Sequence, residues 1–310
     1  MISIYKSTPN GLEQITEFTS GCWVNMIDPT SDDIERMAGQ GIPQDFMTYP
    51  LDMDERARSE REDDGKMLIL IRIPFFQGLN VDVPYSTLPL GLILTDSMIV
   101  TVCRRQNDLT TEFASGKIKN LSTGKRIRFV LRMLLLNANR YLSHLRQINK
   151  MTEDSEDRLQ QSMQNKEVLE LLKYQKSLVY FTTALKANEL LLERLQRTQL
   201  FRQYSDDEDL LEDVITENQQ AIEMVNISAN ILSSMMDAFA SIISNNLNVV
   251  MKFLAVATIL VSLPVVITGF YGMNVNLPLM DWQYTWIAIL GLSVLIVGVT
   301  IWFFVRKRWF

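Results

Sequence analysis

The chain is poor in the residues that build disulfide frameworks and transition-metal cages. Its 310 residues include two cysteines, Cys22 and Cys103, and a single histidine, His144. Two thiols exclude a disulfide-stapled scaffold. Cys22, beside Trp23, reads as an ordinary buried thiol, and His144 reads as a surface helix residue, not a ligand. Basic charge is also short: 30 Lys and Arg face 36 Asp and Glu, a net of −6. That balance argues against nucleic acid as a partner, since a phosphate backbone calls for an excess of Lys and Arg. There is no phosphate loop and no Ser/His/Asp set in a motif context, so no catalytic constellation stands out and no prosthetic group is implied. The opening MISIYKSTPN lacks the apolar core of a signal peptide, so the N-terminal body is expected in the cytoplasm.

Charge disappears almost completely towards the C-terminus. Four of the basic residues and one acid lie beyond Met251, which leaves 26 basic and 35 acidic residues before it, a net of −9. Phe253–Phe270 and Trp282–Val305 are uncharged runs of 18 and 24 residues. A hydrocarbon core of about 30 Å needs ~20 helical residues, so each run is long enough to span a membrane. Lys252 precedes the first run, the RKRW tail follows the second, and the connecting loop has neither Lys nor Arg. The positive-inside rule then puts both termini in the cytoplasm and the loop outside. Trp282, Trp286, Trp302 and Trp309 sit near the ends of the second run, where interfacial aromatics belong.

The first span continues an unusually long helical pattern. From Asp206 to Leu254 there is neither Pro nor Gly, and apolar residues recur at Leu211, Val214, Ile215, Ile222, Val225, Ile231, Leu232 and Met235. Ser205 followed by Asp206, Asp207 and Glu208 makes a good helix start. A helix from about Asp206 to about Gly269 spans ~95 Å at 1.5 Å per residue, with Pro264 near its end. One stripe alternates steps of four and three from Asp237 through Ser241, Ser244, Asn248, Met251, Ala255, Thr258, Ser262, Val265 and Gly269. Inside the span it is small or polar, while Phe253, Leu254, Val256, Ile259, Leu260 and Leu263 around it are mostly bulky. Close helix packing explains small residues; a pore lining explains small and polar ones together. Asn245, Asn246 and Asn248 at the membrane entrance favour the pore. Two helices cannot enclose a pore, so that reading requires a cyclic homo-oligomer.

The loop after the first span reads GFYGMNVN, Gly269–Asn276. A helix C-terminus there presents free carbonyls, Gly269 and Gly272 are expected to let the backbone leave helical geometry, and Asn274 adds a neutral amide oxygen. Such oxygens suit a hydrated Mg2+, which parts with its water reluctantly. YGMN, Tyr271–Asn274, with the hairpin, the RKRW tail and the long entering helix, resembles the signature of the CorA family of divalent-cation transporters. CWVNMIDPT, Cys22–Thr30, is similar to the family's N-terminal pattern. The resemblance covers essentially the whole chain.

It implies a pentameric, funnel-like membrane channel: a cytoplasmic α/β domain with a helical extension over 1–200, a stalk helix running into the first span over 206–270, a loop over 271–281, a second span over 282–305 and a basic tail over 306–310. It further implies Gly272, Met273 and Asn274 as the selectivity element, Asn248 as an amide ring at the cytoplasmic end, Met251 and Leu254 as an apolar gate, and Thr258, Ser262, Val265 and Gly269 as the lining. Regulatory Mg2+ would bind between neighbouring cytoplasmic domains, with Asp237 and Asp213 on the stalk and Asp63 or Asp64 before a core strand. Mg2+ is thus both substrate and regulatory ligand, and membrane lipid and further copies of the chain are the partners. The outer loop carries one acid, Asp281, where many relatives carry more, and Ser262 stands where a bulkier residue is common. Transport of Zn2+, Co2+ or Ni2+ by the same architecture is the nearest alternative; these metals favour His or Cys ligands, which the stripe and loop lack. A non-conducting membrane-anchored scaffold is another.

The first 200 residues read as mixed α/β. KMLILIRIPFF and LPLGLILTDSMIVTVC are strand-like, the second broken by a turn at Asp96-Ser97. SDDIERMAGQG reads as a capped helix closed by glycine. Lys125 to about Leu200 is helical in pattern, interrupted at the polar stretch Thr152–Asn165.

Overall fold

The structure is a computed structural model that describes residues 1–9, 11–118, 121–162, 165–202, 204–275, 277–278 and 282–307. Asp281 of the outer loop and Arg308 and Trp309 of the tail lie outside the described residues. The chain divides into two compact units, Met1–Ser234 and Met235–Phe310.

In the first unit, strands β1 (Ile2–Thr8), β2 (Gly11–Ile15), β3 (Cys22–Ile27), β4 (Arg58–Arg61), β5 (Met67–Phe76), β6 (Tyr85–Leu94) and β7 (Met98–Cys103) form one sheet in the order β2-β1-β3-β7-β6-β5-β4. The two runs read as strands fall on β5 and on β6 with β7. Thr95 seals the turn between β6 and β7: its Oγ1 accepts from Ser97 N and Met98 N at 3.3 and 3.0 Å. β3 and β7 pair in parallel, Cys22 opposite Met98, while the other described pairs are antiparallel. Trp23 Nε1 donates to Thr101 Oγ1 (2.9 Å) across this parallel seam, and Thr101 donates to Asn25 Oδ1 (2.9 Å).

The side-chain period of two sorts the sheet onto two cores. Ile69, Ile71 and Ile73 of β5 and Leu90 and Leu92 of β6 face helices α3 (Asp108–Ala114), α4 (Arg126–Ser162) and α5 (Asn165–Arg197) and the first turns of α6 (Ser205–Tyr271). Val24, Leu68, Ile93 and Val100 face the other way, against Met37 of α1 (Ser31–Ala38) and Phe46 of α2 (Gln44–Thr48). α1 begins in a capping box between Thr30 and Asp33 and ends at Gly39, as a capped helix should.

Two expectations from the sequence fail here. α4 does not break at Thr152 but runs on to Ser162. Its buried stripe continues through Ile148, Thr152, Ser155 and Leu159. Small hydroxylated residues in the inward positions disguised a period that never stopped, and no Pro or Gly interrupts it. His144 is buried, not on the surface, with 8% of its area exposed. Its ring lies 5.3 Å from Tyr85 and 6.4 Å from Phe181, and Nδ1 is 3.3 Å from Gln147 Oε1. It falls on the same inward face as Tyr141, Leu145 and Ile148.

The open edge of β5 is closed by a side chain. Arg72 stands opposite Pro89 of β6. Pro89 has no N–H, so the pair is of the kind that exchanges no hydrogen bonds, and the backbone of Arg72 points to the far edge. β4 has already ended there, its pairing stopping at Arg58 opposite Leu70. Asn188 of α5 takes the missing strand's place: Oδ1 accepts from Arg72 N (2.9 Å) and Nδ2 donates to Arg72 O (2.8 Å). Asn137 and Tyr141 of α4 donate to the same carbonyl at 3.2 and 3.1 Å. Burial raises the phenol pKa of Tyr141, which keeps it a donor.

Replacing Asn188 by Leu leaves the Arg72 N–H without its acceptor. We expect a loss of about 1–3 kcal/mol in the unfolding free energy, measured as a lower denaturant midpoint; an unchanged midpoint would mean that the edge is wet. His144 generates a second expectation. Burial lowers its pKa, with Gln147 and Asp108 opposing and Arg140 assisting. The unfolded chain therefore binds a proton that the folded one refuses. Stability contributed by the neutral imidazole is complete above pH ~6.5 and declines as the pH falls below it. His144→Leu should flatten thermal stability between pH 7.5 and 5.5 relative to the unsubstituted protein, and parallel pH profiles would refute the assignment.

Candidate functional site

α6 has 67 residues and carries the chain from the first unit into the second. Its first turn holds Asp206 and Asp207, and both pair with Arg128 near the start of α4, at 3.2 and 2.7 Å. The Asp207 hydrogen bond leads the effects that raise the Arg128 pKa. This clamp was missed in the sequence, where Arg128 lies 78 and 79 positions before the two aspartates. Pro264 lies inside α6 without ending it. α7 (Thr285–Arg306) follows. Each of the two helices contains an 18-residue window apolar enough to cross a membrane, and only 6% of either window is buried by protein.

Within the second unit the stripe is an exposed face. Asn248, Met251, Thr258, Ser262, Val265 and Gly269 of the stripe are all exposed, as are Leu254 beside it and Phe253, Ile259, Val261 and Val266 elsewhere on the helix. Val256 is 1% exposed, and Leu260, Leu263 and Ile267 on its side of the helix are half-buried. At about 100° per residue, Thr258, Ser262, Val265 and Gly269 each lie ~200° round from a member of that packed row. The small and polar residues therefore do not serve the packing of this unit. Thr258 Oγ1 donates to the Leu254 carbonyl (2.8 Å), which commits its hydrogen and leaves its lone pairs as acceptors. The Asn248 side chain makes no hydrogen bond among the described residues.

At the end of α6 the two glycines differ: Gly269 stays in the helix, against expectation, while the backbone leaves helical geometry at Gly272. Neither Gly269 nor Gly272 is among the described residues with positive φ. Gly269 is helical, and a Cβ there would meet nothing within 4 Å. The helix ends by tightening: Gly272 N donates to the carbonyls of Thr268 (3.0 Å) and Gly269 (3.2 Å), and Met273 N to that of Phe270 (3.3 Å). Such a close satisfies carbonyls without a left-handed residue. Gly272, Met273 and Asn274 follow as exposed residues. Tyr271 Oη donates to Pro278 O at 3.4 Å, tying the loop back to the helix end.

The four acids singled out from the sequence are all exposed. Asp213 and Asp237 lie on α6, and Asp63 and Asp64 in the turn between β4 and β5. Asp64 is already engaged: Lys66 reaches it through Nζ and through its backbone N–H (3.2 Å), and these bonds hold its carboxyl below the usual range. Asp63 makes no ion pair among the described residues. No group of three or more His, Cys, Asp or Glu among the described residues converges on a metal position.

Known proteins share this arrangement. The chain is 28% identical over 298 residues to the cobalt/magnesium transport protein CorA of Methanocaldococcus jannaschii, covering 93% of this chain and 90% of that one. The complete structure of the CorA magnesium transporter from the same organism superposes with a TM-score of 0.86 at 23% identity, covering 100% of this chain and 99% of the other. The ZntB cytoplasmic domain of Vibrio parahaemolyticus superposes with a TM-score of 0.62 at 9% identity, over 78% of this chain and 98% of that domain. At these identities the structural likenesses establish the fold. The family described as CorA-like Mg2+ transporter protein matches residues 19–308, and the chain belongs to it.

Proposed function

We propose that this chain conducts Mg2+ across the cell's inner or plasma membrane through a pore lined by α6. The observation that carries the reading is the exposed polar stripe, set on the opposite side of the helix from its packed row. Polar groups at membrane depth need water or a protein partner. A ring of copies about an axis supplies both, and five copies follow from the family resemblance. Lys252 before the first span and Arg306 and Lys307 after the second put both termini in the cytoplasm. The GMN loop then faces outwards.

The residues divide the work by chemistry. A ring of Asn274 amides, with Gly272 and Met273, receives Mg2+ with its water shell, because neutral oxygens accept hydrogen bonds from those waters without trapping the ion. Gly269, Val265, Ser262 and Thr258 line the middle, and the acceptor lone pairs of Thr258 face the hydrated ion. Met251 and Leu254 form an apolar constriction that gates by shedding water, and Asn248 collects the ion below it. Regulation uses acids from neighbouring subunits, Asp237 and Asp213 with the β4–β5 turn. Asp63 is the better partner there, since Lys66 occupies Asp64. Mg2+ held between such acids favours the closed, symmetric assembly and lets it open as the ion leaves. Co2+ is the second cation supported, by the name of the archaeal relative. Zn2+ and Ni2+ have less support, since the stripe and loop hold neither His nor Cys.

In proteoliposomes of the purified protein, Asn274→Ala should abolish Mg2+ influx, with competing Co2+ and Zn2+ ranking the ions. Equal influx in both proteins removes Asn274 from the mechanism, and no influx of any ion by the unsubstituted protein returns weight to a membrane-anchored scaffold. Asp237→Ala should leave conduction intact but raise the internal Mg2+ needed for half-inhibition by about tenfold, a coupling of ordinary size. Unaltered Mg2+ sensitivity would exclude Asp237 from the regulatory site.

A further inference from the structure

The first unit contains an open cleft of about 710 Å3 between α5 and the segment that leads into β4. That volume lies in the range of small-molecule sites. Five cationic side chains line it against two carboxylates, in a chain whose net charge is −6. One of the carboxylates, Glu55, is taken by Arg58, which also pairs with Glu60. Arg56, Lys186 and Arg194 line the cleft as exposed side chains without an ion pair among the described residues.

The floor is stranger than the rim. The Arg72 side chain is half-buried, and it makes no ion pair among the described residues. Nη1 donates to the Met53 and Glu55 carbonyls (2.6 and 3.0 Å), and Nη2 to the Thr87 carbonyl and hydroxyl (3.2 and 2.8 Å). These oxygens satisfy the four Nη hydrogens but neutralise none of its charge. Desolvation accordingly works against the cation, with Asp54 the carboxylate opposing it at a distance. A desolvated charge with no carboxylate in contact is costly. The cleft above it is where an anion would repay that cost. Tyr180, 47% exposed, and Leu190, 62% exposed, give the wall apolar surface.

We propose that this cleft binds a small phosphate-bearing anion. Arg72 sets the potential of the floor, Arg56, Lys186 and Arg194 contact the phosphate oxygens, and a planar or apolar body rests on Tyr180 and Leu190. Guanidinium groups match phosphate oxygens in pairs, and an aromatic face accepts a flat ring. A nucleotide and an inorganic polyphosphate share the phosphate chemistry, and Tyr180 separates them. The site uses none of the residues assigned to conduction or to cation sensing, so its fate is independent of theirs.

The test is titration calorimetry on the full detergent-solubilised chain, with ATP and with inorganic triphosphate, in EDTA at about 0.15 M salt so that weak screened contacts are suppressed. We expect saturable binding, weakened at least about tenfold by the double substitution Lys186→Gln with Arg194→Gln. Both positions are exposed on α5, so the fold tolerates the change. Tyr180→Ala should weaken ATP and leave triphosphate unchanged if the ligand carries a base; equal affinities in that variant support a site for phosphate alone. Absence of saturable binding by either probe, or binding that survives the double substitution unchanged, overturns the proposal.

Discussion

Hydrocarbon solvates neither an amide nor a hydroxyl, and that constraint shapes the C-terminal part of the chain. It requires that the backbone satisfy itself, which α6 and α7 do as helices. It also dictates what hydroxyl side chains do. Thr258, Thr268, Ser293 and Thr300 each donate to the carbonyl four residues back in their own helix. For Thr268 that carbonyl belongs to Pro264, so a hydroxyl sits beside the one position in α6 whose nitrogen has no hydrogen to give. Asn248 is different, because an amide brings two donors as well as an acceptor. A single helix has no room to satisfy all of them, so the face that bears it looks for water.

Much of this was readable in advance because it rests on periodicity. The uncharged runs, the pattern from Asp206 onwards and the apolar strands on either side of Asp96 and Ser97 declare themselves within a few residues of sequence. What was hidden depended on partners far along the chain. Asn188 meets Arg72 across 116 positions, and Arg128 meets Asp207 across 79. No local pattern announces either. His144 was misread for a subtler reason: its neighbours Tyr141, Leu145 and Ile148 mark the inward face, but a polar residue between them looks like an outward one. Gly269 was misread because glycine suggests a turn, whereas it stays helical on an exposed face where a Cβ would meet nothing; the turn comes at Gly272. Of the candidate site, the stripe's exposure and the prior engagement of Asp64 needed the folded structure.

The first unit manages its sheet edges with unusual means. Pro74 and Pro89 both fall where the β5–β6 ladder asks for no N–H. The edge thereby opened is answered by Asn188, while the guanidinium of Arg72 reaches the other way and ties down the segment around Met53 and Glu55. One residue of β5 thus holds α4, α5 and the approach to β4 together, its backbone binding the helices and its side chain the loop. The same arrangement leaves a charge at the base of the cleft without a carboxylate.

The parallel seam between β3 and β7 has a consequence for how the molecule is made. Cys22 must wait for Met98, and the core those strands share is completed only when Leu211 and Val214 of α6 have been added. The N-terminal strands β1 to β3 therefore have only one another to pair with until synthesis has passed Cys103, since non-local pairings form late. The apolar spans leave the ribosome after that. Translation order thus lets a globular body form before any segment seeks the lipid, and a slow decoding site shortly after Val214 would lengthen the interval in which it does so.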